Sequence, residues 1–177
     1  MTTEYLVLSA LGSDRPGIAD QLARAAAASG CNIEDSRMAV MGGEFAVLML
    51  VSGSNKAIAA MEQACPGVGR ELDLSLHTRR TQPKPRQAAS RPYRIEVSAL
   101  DQPGLVHELA NFFASRHINI ESLDTSTYAA PHTGSQMFTL RMTVNVPADV
   151  AVAPLRETFL DHCDARNLDA AFDAARP

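Results

Sequence analysis

The chain has 177 residues, 46% of them hydrophobic, with a formal net charge of −4 and a pI near 5.7. This acidic balance argues against a nucleic-acid-binding surface, and no apolar run approaches the ~18 residues of a membrane span. The N-terminus has no signal-peptide pattern, and Cys31, Cys65 and Cys163 have no metal-ligand spacing, so they read as structural thiols of a cytoplasmic protein.

Tyr5–Leu11 reads as a first strand. Ile18, Leu22, Ala25, Ala26 and Ser29 follow with helical spacing, and Gly30 is a fitting stop. Ile33–Met41 and Glu44–Val51 form a hairpin around Gly42-Gly43. Ser54 suits the N-cap of a helix that runs to about Ala64 and ends at Pro66-Gly67. Leu72-Asp73-Leu74-Ser75-Leu76 alternates with period two and supplies a last strand. Residues 79–92 hold three prolines, five basic residues and no large apolar residue, and read as an extended, solvated linker.

The order then repeats. Tyr93–Leu100 is a strand, Leu105, Leu109, Phe112 and Phe113 mark a helix, and Ile120–Tyr128 and Met137–Val146 form a hairpin across Ala129–Ser135. Leu155, Phe159 and Cys163 mark a second helix, and Leu168–Phe172 a final strand. The sequence itself is duplicated: Asp14-Arg15-Pro16-Gly17-Ile18 returns as Asp101-Gln102-Pro103-Gly104-Leu105, and Asn32-Ile33-Glu34 as Asn119-Ile120-Glu121. From Pro16 to Glu34 the offset is constant at 87 residues, while Gly12-Ser13 is an insertion in the first copy alone. The expected architecture is therefore α+β: two tandem ferredoxin-like βαββαβ domains, residues 1–78 and 93–177 with a linker 79–92, their helices on one face of antiparallel sheets.

The two copies differ on their outer sheet faces. In the second, Tyr93, Ile95, Val97 and Ala99 alternate with polar Arg94, Glu96 and Ser98. In the first, placing Leu6, Leu8, Phe45, Val47 and Met49 against the helices leaves Tyr5, Val7, Leu48 and Leu50 outside. Such a patch predicts a covered interface, in keeping with a homo-oligomer.

The Asp-x-Pro-Gly repeat lies where the first strand meets the first helix. Asp14 suits the N-cap, with the Gly17 N–H as its recipient because Pro16 has no donor. Amides at a helix start suit a carboxylate such as that of an amino acid, and the Asn32 and Asn119 amides both donate and accept. The same residues also suit a purely structural helix start and loop end.

These motifs, with Gly30-Cys31-Asn32-Ile33-Glu34-Asp35-Ser36-Arg37, resemble the ACT domain, an amino-acid-sensing regulatory module. The tandem pair resembles more closely the glycine cleavage system transcriptional repressor family, over about residues 4–172 and most strongly in the first copy. That resemblance implies a ligand site at Asp14, Arg15, Pro16, Gly17, Ile18, Asn32 and Ile33, and at Asp101, Pro103, Gly104, Leu105, Asn119 and Ile120, at an interface between ACT units. It implies a small amino acid such as glycine or serine as ligand, a transcription factor protein as partner, and no direct DNA contact.

An enzyme is not expected. The five histidines form no metal-spaced pair, and neither a nucleophile elbow nor a phosphate-cradling loop is present. No cofactor is expected either. The alternative to an amino-acid-responsive regulator is a ligand-independent ACT interaction or dimerisation module.

Overall fold

A computed structural model describes residues 2–82 and 90–175. The described residues form two compact units, one before and one after residues 83–89. The first contains β1 (Glu4–Ser13), α1 (Ile18–Ala28), β2 (Asn32–Met41), β3 (Glu44–Gly53), α2 (Asn55–Leu72) and β4 (Ser75–Thr81). The second contains β5 (Ser90–Leu100), α3 (Leu105–Ala114), β6 (Asn119–Ala129), β7 (Gln136–Pro147), α4 (Val152–Asp164) and β8 (Asp169–Ala174). Both are βαββαβ units whose antiparallel sheets have the orders β2-β3-β1-β4 and β6-β7-β5-β8. This is the expected ferredoxin-like α+β arrangement.

Period-two alternation builds each core. Leu6, Leu8, Ala10, Phe45, Val47, Met49 and Val51 are buried beneath Ile18, Leu22 and Ala26 of α1 and Ile58 and Met61 of α2. In the second unit Phe113 and Phe159 pack at a centroid distance of 5.2 Å, and Phe172 closes the cluster. Each such ring, fully buried, stabilises the unit by about 2–3 kcal/mol.

Four boundaries differ from expectation. Helix α2 continues through Pro66-Gly67 to Leu72. Its buried stripe of Ile58, Met61, Cys65, Gly69 and Leu72 keeps helical spacing on both sides of the proline. Burial of that stripe offsets the missing N–H. Asp73 then takes the left-handed conformation and donates to the Arg70 carbonyl, so Leu72 and Asp73 end a helix instead of starting a strand.

The linker is also shorter than 79–92 at both ends. Arg79, Arg80 and Thr81 pair with β1, while Ser90, Arg91 and Pro92 pair with β7. Arg80 grips Glu62 through both carboxylate oxygens and donates to Asn55 at 2.8 Å, tying β4 to α2. The middle of the expected linker, residues 83–89, lies outside the described residues. Ser54 is the N-cap of α2 as expected, its hydroxyl accepting from the Ala57 N–H at 3.2 Å.

Candidate functional site

The two strand–helix loops are built alike, although not with aspartate as the cap. The Asp14 N–H donates to the Gly43 carbonyl at 3.0 Å, and the Asp101 N–H to the Gln136 carbonyl at 2.9 Å, fastening each loop to the adjoining hairpin. The N-caps are Gly17 and Gly104, at φ of 96° and 97°, with no side-chain cap. Each aspartate stands three positions before its glycine, ahead of the cap, and glycine supplies the left-handed turn that other residues resist.

The first-turn amides of α1 and α3 thus have no side-chain acceptor. The acidic groups of those turns are engaged elsewhere: Asp20 pairs with Arg24 at 3.1 Å, and Glu108 pairs with Arg166. Asp14–Gly17 and Asp101–Gly104 are exposed, so an anion can approach both helix starts. Arg15 donates to the Glu71 carbonyl at 3.3 Å, linking the first loop to the end of α2; Gln102 stands in its place in the second.

Asn32 and Asn119 are not beside these loops. Asn32 opposes Ser52, which opposes Tyr5, whereas the loop follows Ser13 at the other end of β1. Eight strand residues separate the two levels, about 26 Å. Asn119 opposes Asn145, which opposes Pro92, and is separated from Asp101 by a similar length of β5. The repeat therefore marks two places in each unit.

The second place is a β-bulge. The β2–β3 register shifts between Ile33 and Asp35, and the β6–β7 register between Ile120 and Ser122, leaving Glu34 and Glu121 as the extra residues. Glu34 accepts from Ser52 at 2.5 Å and from Asn32 at 3.1 Å, while Glu121 accepts from Asn145 at 3.1 Å. The Ser52 hydrogen bond, followed by that of Asn32, lowers the Glu34 pKa below the ordinary glutamate range. Sequence reasoning did not select these glutamates as functional residues, although both lie inside the duplicated Asn-Ile-Glu.

The remaining predicted positions divide between core and surface. Ile18 and Leu105 are buried, and Ile33 and Ile120 are half-buried against the core, so their side chains serve packing. Pro16 and Pro103 stay exposed. Tyr5, Val7, Leu48 and Leu50 share the sheet face opposite the buried one, with Leu48 52% exposed.

Residues 4–79 and 93–151 each match a family model of the ACT domain. The glycine cleavage system transcriptional repressor of Escherichia coli K12 is 36% identical over 169 residues, 96% of this chain and 89% of that protein. The chain belongs to that repressor family, as a tandem ACT-domain protein. The Shigella flexneri repressor matches to the same extent. A crystal structure assigned to a glycine cleavage system transcriptional repressor superposes with a TM-score of 0.74 at 32% identity, covering all of both chains. An unknown protein from Galdieria sulphuraria gives 0.79 at 29% identity, over 99% of this chain and all of that one. The chain is therefore a regulatory ACT protein, and among its described residues no helix is long and apolar enough to cross a membrane.

Proposed function

We propose that this tandem ACT protein is an amino-acid-responsive regulator, not an enzyme, that modulates transcription of the glycine cleavage system from the cytoplasm. It does so by contacting a transcription factor protein, with no DNA contact of its own. The relationship to the repressors along nearly the whole chain carries this reading. The chemistry of the two uncapped helix starts supports a carboxylate ligand, with glycine and serine as first candidates. The loop and the asparagine lie at opposite ends of each sheet, so no single unit brings both to one ligand.

The full chain titrated with glycine and serine by calorimetry tests the ligand. Binding heat that falls in Gly17→Leu or Gly104→Leu, with the fold retained, is the expected result; unchanged heats overturn the assignment. Ligand binding is expected to change partner affinity by about 5–150-fold. One observation favours a ligand-independent interaction module instead: Asn32 already donates to Glu34, and Arg15 to Glu71, within the chain. The absence of any heat with the wild type favours that second reading.

A further inference from the structure

The outer face of the first unit's sheet is apolar along its centre and charged along its rims. On the central strands, Leu50 lies beside Val7 and Leu48 beside Ser9, with Tyr5 and Leu11 continuing the β1 column. The edge strands add Asp35 and Arg37 from β2 and His77 and Arg79 from β4. Leu48 and Leu11 are 52% and 53% exposed. An apolar centre with a polar rim is the anatomy of a protein interface.

The corresponding face of the second unit is charged along its centre. There Asp124, Arg141 and Glu96 form one row across the sheet, and Arg94 stands beside Asp173 in the next.

We propose that a second copy of the chain covers this face, first unit against first unit. In the order β2-β3-β1-β4, a two-fold axis along the strands between β3 and β1 exchanges β2 with β4. Asp35, Leu50, Val7 and Arg79 form a single row, so the axis brings Asp35 opposite Arg79 of the second copy, twice per dimer. Arg79 has no ion pair among the described residues, and Asp35 has one only with Arg37 of its own strand.

The following row brings Arg37 opposite His77 of the second copy. Aligned packing of twisted sheets at about 30° keeps these long side chains within reach. Four strands at about 4.8 Å spacing and about 26 Å length give roughly 500 Å² per copy. The total, about 1,000 Å², meets the lower bound for a specific interface.

Light scattering of the full chain at tens of micromolar tests the proposal without any ligand. The particle mass is expected to halve in Leu48→Glu. Arg79→Asp and Asp35→Arg each weaken association about tenfold, and the double reversal restores it. Both rim positions are exposed, so these variants keep the fold, as far-ultraviolet circular dichroism will verify. A monomeric wild type, an unchanged mass in Leu48→Glu, or a double reversal that fails to restore association overturns the proposal.

Discussion

The Ser52 hydroxyl donates to the Glu34 carboxylate across the bulge that interrupts β2. Glu34 thereby keeps a pKa below the ordinary glutamate range, and its stabilising contribution is present above the unfolded-state value. The contribution is lost as pH falls through the folded value. Ser52→Ala is expected to move the Glu34 carboxyl titration, followed by carbon-detected NMR, back up toward the ordinary range. The stability difference between wild type and variant shrinks as the medium becomes acid. An unmoved titration would show that Ser52 does not set this carboxylate.

The left-handed N-caps Gly17 and Gly104 predict a pure backbone effect. A Cβ at Gly104 meets nothing within 4 Å, and at Gly17 only the Gln21 amide at 3.9 Å. Alanine at either position therefore costs conformational strain without a clash, about 1–2 kcal/mol by urea denaturation. At Gly12 the order of causes reverses, because a Cβ would stand 2.6 Å from the Asp73 carbonyl oxygen. Gly12→Ala is expected to cost about 1–3 kcal/mol through displacement of the end of α2.

Pro66 stands inside α2, where it withholds a helical N–H. Pro66→Ala should raise stability by about 1–2 kcal/mol. This is less than the full ~3 kcal/mol proline penalty, because proline also restricts the unfolded chain. A fall in the urea midpoint would mean that the proline shapes the helix usefully.

The thiols should separate by reactivity. Burial, reinforced by the nearby Glu62, pushes Cys65 up to about 11, and burial next to Asp164 pushes Cys163 up to about 11. Cys31 is raised only by desolvation and is half-buried. At pH 8 a disulfide reagent is expected to modify Cys31 first, so Cys31→Ser removes the fast phase. A fast phase that survives would show that one of the buried thiols opens readily.

Much of this architecture was legible because burial on one sheet face imposes period two, and burial on one helix face imposes period 3.6. Leu6 and Leu8, and Ile95 and Val97, announce their cores through that rule, and the Asp-x-Pro-Gly repeat announces the second unit. Local turn chemistry is less legible. Asp14 is a good N-cap residue by type, yet the backbone places Gly17 there. Pro66-Gly67 has the composition of a stop, yet Cys65, Gly69 and Leu72 are buried along one continuous stripe.

The chain order, the two units and the composition of their cores follow from side-chain periodicity, which is a local property. Which repeated residues are neighbours does not. Asp14 and Asn32 recur together in the duplicated sequence, but antiparallel pairing of β1 with β3 and of β3 with β2 sends them to opposite ends of one sheet. The same register places Asn32 and Ser52 where both can bind Glu34, and aligns Asp35 with Arg79 across four strands. Those relations arise from long-range hydrogen-bonded pairing, which the linear spacing of residues does not encode.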